Sequence, residues 1–401
     1  MHTHDFDWLL DPITVDTFRR EYLENKPLHV FGRAADWFTG LFSLEDLEHI
    51  LWQEETQVAR SVTLLKSGER IFPARSNATR LRNWVDAQYA DGATVLLPAV
   101  GRFIPSVARL QRSVERFAGG HVIVNAYLTP PGAQGFEPHF DPHDIFVLQV
   151  AGAKHWRLFK PAVVLPTRAQ ARAVAVWELA EPMTSLALKP GDFLYLPRGV
   201  VHEARTQDDA SLHLTIGFEL PTWAEVIEQC VRGAADLSLA LRRSVAASPE
   251  PGPELRGVLD ELRALGNTAD IVGQAVERIR GTFLAGLSPL PRQELGGSNP
   301  LSVRSADDYV ERVHGMLAEV FTTDTAVHIA FPGLGFTHDD GRVPTTLNEP
   351  LFMEPALRFI ATSEAAFRVC DLPVGVGDQA KLLFVRRLVM SGLLQLAGSA
   401  P

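Results

Sequence analysis

The sequence predicts an antiparallel β core, either a barrel or a sandwich, that is followed by helical segments. The chain has 401 residues, which is more than one hydrophobic core usually contains, and this length indicates two or three domains. Between about 121 and 220, apolar residues alternate with polar ones in short runs separated by Pro and Gly, as is typical of antiparallel strands. After Pro221 the apolar period changes to that of helices.

The composition restricts where the protein works and what it binds. Hydrophobic residues make up 46% of the chain and charged residues 21%, and the apolar runs are too short to span a membrane. The start, MHTHDFDWLL, lacks the basic flank and apolar core of a signal peptide, so we expect a cytoplasmic protein with no membrane partner. The net charge of -10 argues against direct nucleic-acid binding, which depends on Lys and Arg.

The cysteines limit the kind of metal site that the chain can build. Cys230 and Cys370 lie far apart in the sequence and suggest neither a disulfide framework nor a thiolate cluster. A bound metal would therefore need ligands from His, Asp or Glu.

The first predicted elements are a helix and then the strands. Asp16 is a candidate cap for a helix in which Phe18, Tyr22 and Leu23 recur at helical spacing. The predicted strands are HVIVNAYLTP (121–130), DIFVLQVAG (144–152), KHWRLF (154–159), SLALKPGDFLYLPRG (185–199) and SLHLTIGFEL (211–220).

Helical patterns dominate the remainder. One long helix is predicted over 223–247, and two more over 255–266 and 269–287. A Pro- and Gly-rich joint at 288–300 introduces the last segment. Two further helical patterns, 355–373 and 377–397, predict a small helical or winged-helix module near the end of the sequence.

The segment EPHFDPHDIF, residues 137 to 146, places two histidines and two aspartates in a predicted buried strand. Such side chains are costly to bury unless they are paired or bound to a metal. In an extended strand His139 and Asp141 point to the same side and offer two metal ligands. The pair alone is weak evidence, because the same spacing recurs at His338 and Asp340, where a solvated turn is expected.

A third ligand is available further along the chain. The stretch PGDFLYLPRGVVHE, residues 190 to 203, ends a predicted strand in a turn and then presents His202. By itself His202 would more often be a hydrogen-bonded surface imidazole. Together with His139 and Asp141 it forms a set of two histidines and one carboxylate, which is typical of non-haem Fe(II) oxygen chemistry because the ion keeps open positions.

Polar side chains also recur in the strands themselves. Lys154 begins KHWRLF and is either a solvated hairpin lysine or a fixed cation for a carboxylate-bearing cosubstrate. Asn125 and Tyr127 share one strand face, and Thr215 belongs to the polar face of SLHLTIGFEL. Such faces either line a cavity inside a barrel or turn to water.

Several motifs together resemble those of the JmjC-type, cupin-like ribosomal oxygenases. They are NAYLTPPG, HFDPHDIFVLQVAGAKHW, GDFLYLPRGVVHEA and SLHLTIG. The resemblance implies a double-stranded β-helix, the JmjC or cupin jelly-roll barrel, as an oxygenase domain over 1–221. It also implies a helical dimerisation segment over 222–299 and a winged-helix-like domain over 300–401, and therefore a homodimer.

The resemblance further implies a cofactor set and site residues. Fe(II) would be held by His139, Asp141 and His202. The cosubstrate 2-oxoglutarate would place its far carboxylate on Lys154, and dioxygen would complete the reaction. Asn125 and Thr215 would support the cosubstrate.

The implied reaction is hydroxylation of a protein or peptide side chain, with a histidine or arginine of a ribosomal protein as the first choice. Tyr127 and Gln149 are candidate residues of the substrate pocket. The alternatives are a tailoring hydroxylase for a peptide natural product or a small molecule, lysine demethylation, and a non-catalytic winged-helix regulator. Residues 351 to 401 carry a net charge of only +1, which disfavours the regulator as a DNA reader.

Overall fold

The structure, a computed structural model, describes residues 4–52, 62–66, 68–72, 78–170, 179, 181–245, 251–268, 270–287, 300–313, 315–322, 325–332, 345–363 and 365–397. The chain divides into two compact units, Met1–Leu220 and Pro221–Pro401. Within the described ranges, no helix is long and apolar enough to cross a membrane.

Helices of the first unit precede most of its strands. They are α1 (Phe6–Leu10), α2 (Val15–Glu21), α3 (Leu44–Trp52), α4 (Ala78–Ala90) and α5 (Pro105–Ala118). Helix α2 begins after Thr14, whose hydroxyl accepts a hydrogen bond from the Thr17 N–H at 3.2 Å. The prediction that Asp16 caps this helix is wrong, because Asp16 lies in the first turn, where its negative charge favours the helix N-terminus.

Two antiparallel sheets form the body of the first unit. The strands are β1 (Leu28–Val30), β2 (Thr63–Lys66), β3 (Glu69–Ile71), β4 (Thr94–Leu97), β5 (Val122–Thr129), β6 (Asp144–Ala151), β7 (Lys154–Leu158), β8 (Thr184–Leu188), β9 (Phe193–Leu196), β10 (His202–Arg205) and β11 (Ser211–Phe218). The larger sheet has the order β1-β9-β6-β11-β5-β4-β2-β3, and the smaller one has the order β10-β7-β8. The predicted antiparallel β core is confirmed.

The period-two alternation positions the site. In β11, Leu214 and Ile216 are fully buried in the main apolar core, so the intervening residues face the opposite side. Strand β6 is buried on both faces: Phe146 belongs to the main core and Val147 to a second apolar cluster. Both edges of this strand are hydrogen-bonded to neighbouring strands, and the two apolar clusters exclude water from its faces.

The second unit contains helices and short strands. Its helices are α6 (Trp223–Leu237), α7 (Leu239–Arg242), α8 (Pro251–Thr268), α9 (Ile271–Gly286), α10 (Glu354–Thr362) and α11 (Asp378–Met390). Its strands are β12 (Tyr309–Arg312), β13 (Glu319–Thr322), β14 (Val327–Phe331), β15 (Thr345–Glu349), β16 (Phe367–Arg368) and β17 (Leu394–Leu396). These strands form two sheets, β16-β12-β17 and β13-β14-β15.

Three helix predictions in the second unit are too long. The helix predicted over 223–247 stops at Leu237, because Ser238 is extended and its side chain caps the next helix by accepting from the Leu241 N–H. The helix predicted over 355–373 ends at Thr362 and is followed by strand β16. The helix predicted over 377–397 ends at Met390 and is followed by strand β17. The boundary predicted at 299 remains a prediction, and the residues on its N-terminal side lie outside the described ranges.

Candidate active site

Two segments that are distant in the sequence carry the three predicted metal ligands. The strand predicted from residue 137 begins only at Asp144, so His139 and Asp141 lie in the loop before it, and that part of the prediction is wrong. His139 makes an isolated backbone bridge to His202 instead of a continuous ladder. The His139 N–H donates to the His202 carbonyl at 3.1 Å, and the His202 N–H donates to the His139 carbonyl at 2.8 Å.

The side chains of His139, Asp141 and His202 converge. One ligand atom from each lies within 4.8 Å of the others. The His202 Nε2 atom is 3.6 Å from Asp141 Oδ2, and the two imidazole centroids are 4.5 Å apart. These distances suit three ligands around one ion. The sequence alone could not establish them, because His202 is far from His139 and Asp141 along the chain.

The tautomers of both imidazoles are fixed by the backbone. His139 Nδ1 lies 2.8 Å from the Glu137 carbonyl, and His202 Nδ1 lies 3.1 Å from the Val200 carbonyl. A carbonyl oxygen only accepts, so both Nδ1 atoms carry the proton and both Nε2 atoms keep a lone pair. Outer hydrogen bonds of this kind are usual for metal-binding histidines.

Burial also keeps His202 in its ligand form. Desolvation and, to a smaller extent, the neighbouring His139 lower the pKa of His202 to about 4, against the opposing effect of Asp141. The imidazole is therefore neutral at physiological pH and can donate its lone pair.

A cavity of about 280 Å³ extends from the three ligands between the two sheets. The larger sheet contributes Asn125, Tyr127, Ile145, His213, Thr215 and Gly217, and the smaller sheet contributes Lys154, Trp156, His202 and Ala204. The polar strand faces therefore line a cavity and do not form a solvated outer surface. A cavity of this size with a few convergent polar groups is typical of a small-ligand site.

Lys154 is the buried cation of this cavity. Its side chain is only 4% exposed, and its Nζ donates to the Thr129 hydroxyl at 2.9 Å. Desolvation lowers the pKa of Lys154 from 10.5 to about 7. No carboxylate pairs with it in the described part of the chain, so an anionic ligand would find a desolvated partner here.

Two residues near Lys154, Thr129 and Thr94, were not predicted from the sequence. The Thr129 hydroxyl also accepts a hydrogen bond from the Thr94 hydroxyl at 3.2 Å, and Thr94 lines the cavity. Both threonines are fully buried. Their role depends on which strands pair, and the only signal in the sequence is the position of Thr129 at the end of NAYLT.

The other predicted polar residues on β5 and β11 reach the cavity. The Asn125 side-chain oxygen accepts from the Ala99 N–H at 3.2 Å, and Thr215 is its direct cross-strand partner. Tyr127 stacks on His213 with a centroid distance of 4.9 Å and an interplanar angle of 4°. Burial raises the pKa of Tyr127, so its phenol stays protonated.

His213 is a further cavity residue that had no predicted role. It is 3% exposed, and its Nδ1 has no hydrogen-bond partner within the described ranges. Burial, followed by the charge of Lys154, lowers its pKa well below the usual value. A neutral imidazole with an unused nitrogen is thus held beside the lysine.

Gln149 was predicted for the substrate pocket, but the structure does not place it in the cavity lining. Its side-chain NH₂ donates to the Ser211 hydroxyl at 2.8 Å and to the Ala151 carbonyl at 2.8 Å. The register between β6 and β11 shifts between Leu212 and His213, beside Gln149. The amide therefore forms hydrogen bonds where the pairing of β6 with β11 is irregular.

The other two polar residues of EPHFDPHDIF, Asp144 and His143, lie on different sides of the sheet. Asp144 is fully buried, accepts a hydrogen bond from the Tyr195 hydroxyl at 2.5 Å and pairs with Arg198 at 3.0 Å, away from the cavity. His143 lines the cavity. The second His-x-Asp motif, at His338 and Asp340, lies outside the described ranges.

A match to a family model identifies the domain that contains this site. Residues 97–226 match the model of the JmjC domain, and they include all three converging side chains. The chain carries a JmjC domain. The predicted JmjC and cupin fold class is thereby confirmed, together with its additional helical parts.

The chain is similar to curated ribosomal oxygenases. It is 33% identical to mouse ribosomal oxygenase 2 over 57% of this chain and 50% of that protein. It is 29% identical to human ribosomal oxygenase 1 over 94% of this chain and 65% of that protein. The resemblance predicted from the motifs is confirmed. The chain spans 40% of the chicken relative and 35% of the Drosophila persimilis relative named bifunctional lysine-specific demethylase and histidyl-hydroxylase NO66.

Solved structures support the fold over nearly the whole chain. The ribosomal oxygenase YcfD from Escherichia coli, determined in complex with cobalt and 2-oxoglutarate, aligns with a TM-score of 0.59. The alignment covers 96% of this chain and 99% of YcfD at 18% identity. At that identity the likeness concerns the fold.

Proposed function

We propose that this JmjC protein is an Fe(II)- and 2-oxoglutarate-dependent oxygenase that hydroxylates a side chain of a protein or peptide. The observation that carries the proposal is one cavity holding both the three converging ligands and the buried cation Lys154. The first group suits a divalent ion with open positions, and the second suits a carboxylate.

The residues present fit the metal. His139 and His202 each offer an unprotonated Nε2, and Asp141 adds a carboxylate oxygen. When bound there, iron supplies the oxidation, in which dioxygen converts 2-oxoglutarate to succinate and carbon dioxide and one oxygen atom enters a substrate C–H bond. The protein fixes the ligands by backbone hydrogen bonds and buries His202 so that it stays neutral.

The residues present also fit the cosubstrate. Lys154 would hold its far carboxylate, and the Thr94–Thr129 hydrogen bond would keep the ammonium in place. Asn125 and Thr215 would contact the same ligand from the larger sheet. Burial strengthens each of these contacts because the cavity walls exclude water.

For the substrate, we favour a side chain of a ribosomal protein, as the names of the relatives suggest. Arg70 lines the cavity, and its guanidinium carbon lies 5.8 Å from the ring centroid of Phe136, which also lines the cavity. A cationic arginine or lysine side chain would be repelled there, which favours histidine. A peptide natural product, a small molecule and a methylated lysine remain the alternative substrates to be compared.

We also propose a cytoplasmic homodimer formed through the helical segment. Trp223 and Ile227 lie one helical turn apart on α6 and are 80% and 58% exposed. Leu255 and Leu259 repeat this spacing on α8. Exposed apolar residues in such rows are typical of an interface. Light scattering should give the molar mass of a dimer for the unmodified protein and a lower molar mass for Trp223→Lys. Val164→Lys, at an exposed site of the first unit, should leave the molar mass unchanged.

The decisive experiment measures 2-oxoglutarate turnover and its product together. The protein is incubated with Fe(II), ascorbate and 2-oxoglutarate, first alone and then with protein stripped from bacterial ribosomes. Formation of succinate, together with a mass gain of one oxygen atom on a ribosomal protein, would support the proposal. Absence of any succinate from the iron-loaded protein would refute it.

A further inference from the structure

His143 occupies the space above a glycine in the cavity wall. A Cβ atom built on Gly217 would lie 2.7 Å from Nε2 and 2.8 Å from Cδ2 of the His143 ring. The next nearest atom, the side-chain Cγ2 of Ile123, would lie at 3.6 Å, which is an ordinary contact. The imidazole is thus the single close obstacle among the described residues, and the missing side chain at 217 gives it room.

This imidazole is available to a ligand. His143 is half-buried and lines the same cavity as Asp141 and His202. In the described part of the chain, no hydrogen bond or ion pair holds its ring. An imidazole in a largely enclosed wall without a protein partner retains a donor and an acceptor for a bound molecule.

We propose that His143, accommodated by Gly217, is a specificity-determining residue that hydrogen-bonds to the polar end of the substrate side chain. This inference rests on the proposed function and adds the residue that selects the substrate. Gly217 follows Thr215 near the end of β11 and is the direct cross-strand partner of Ile145 on β6. The ring therefore adds a polar group to the cavity wall beside the apolar side chain of Ile145.

Glycine 217 offers a way to move the imidazole without deleting it. The residue sits within β11, paired with Ile123 on one side and Ile145 on the other. An alanine suits the middle of a strand at least as well as glycine does, so Gly217→Ala should fold. Because the obstacle is the far end of a side chain, the ring should rotate away from its position.

The experiment compares His143→Leu, His143→Gln, Gly217→Ala and the double variant His143→Leu/Gly217→Ala in the full chain. The substrates are peptides of one length whose central residue is His, Asn, Arg or Leu, together with protein stripped from bacterial ribosomes. Oxygen addition gives kcat/KM, and succinate formed without substrate reports on the iron site. Binding of the same peptides is measured without oxygen, where no turnover takes place.

We expect His143→Leu and Gly217→Ala each to lower kcat/KM for the polar substrate by roughly tenfold and to weaken its binding by a similar factor. Each loss is expressed relative to succinate formation without substrate in the same variant, which reports on the iron site. His143→Gln should recover part of the loss, because glutamine keeps a donor and an acceptor. The double variant should be no worse than His143→Leu, because both changes remove the same contact.

Unchanged kcat/KM in His143→Leu, or losses that multiply in the double variant, would overturn this inference and leave the proposed function intact. A protein that forms no succinate at all would overturn the proposed function itself. Succinate without oxygen on any peptide or ribosomal protein would overturn both.

Discussion

Replacing Lys154 by methionine separates its effect on folding from its effect on the ligand. Its ammonium is buried, and burial lowers its pKa from 10.5 to about 7. At about 1.4 kcal/mol per pKa unit, the charged form destabilises the ligand-free protein at neutral pH by up to about 4 kcal/mol. Methionine removes that cost, whereas the Thr129 hydroxyl loses a partner worth about 1 kcal/mol. We expect ligand-free Lys154→Met to be more stable by about 2 to 3 kcal/mol.

The same change should weaken 2-oxoglutarate binding. A carboxylate that loses a buried charged partner is destabilised by about 2 kcal/mol or more, which is at least about a thirtyfold loss of affinity. Calorimetric titration of the Mn(II)-loaded protein gives the affinity, and denaturant unfolding of the metal-free protein gives the stability. Lys160→Met, at an exposed lysine, is the matched control. A Lys154→Met protein that is less stable and binds 2-oxoglutarate normally would refute the reasoning.

The pKa of Lys154 also predicts a pH dependence. The folded, ligand-free protein releases the proton near pH 7, whereas the unfolded chain keeps it to about 10.5, so this group adds stability as the pH rises between these values. Binding of a carboxylate needs the charged form, so 2-oxoglutarate affinity should fall as the pH rises above about 7. Lys154→Met should lack this fall, and an equal decline in both proteins would contradict the assignment.

The remaining predictions concern the ligands and the buried carboxylate. His139→Ala should abolish succinate formation and metal binding, whereas His121→Ala, at an exposed position, should change neither, as calorimetry and turnover would show. Asp144→Ala should lower the free energy of unfolding by about 3 kcal/mol, because Arg198 and Tyr195 lose a buried partner, with little effect on turnover at low temperature. Asp208→Ala is its exposed control. Removing the metal should weaken 2-oxoglutarate binding by about a hundredfold, in a calorimetric titration with and without Mn(II).

The strands were predictable because apolar alternation has a direct physical cause. Each predicted strand between 121 and 220 contains an observed one, since every second side chain must enter an apolar core. The convergence of His139, Asp141 and His202 was also predictable, because two histidines and one carboxylate beside predicted strands are the ligand set of a non-haem iron site. The loop conformation around His139 was not predictable from the sequence, because a strand and a bridged loop both direct His139 and Asp141 inward.

The errors share a dependence on partners that are distant in the sequence. Gln149 belongs to the polar set of β6, but a register shift with β11 places its amide against the Ser211 hydroxyl. Thr129 becomes a partner of Lys154 only because β5 and β7 bring them together across 25 residues. Strand β16 continues the helical spacing of the preceding residues, so its pairing with β12 leaves no local signal.

The charges of the cavity explain why the metal site and the cosubstrate site should act together. Without ligands, the protein buries a lysine with a lowered pKa, a neutral His202 and a neutral His213, all of which resist protonation because they are desolvated. A divalent ion on Asp141 leaves one positive charge, and protonated Lys154 adds a second. The two negative charges of 2-oxoglutarate then balance those of the metal site and Lys154, whereas without the ion they would face Asp141 directly. Because unbalanced charge is costly where water is excluded, metal and cosubstrate should each strengthen the binding of the other.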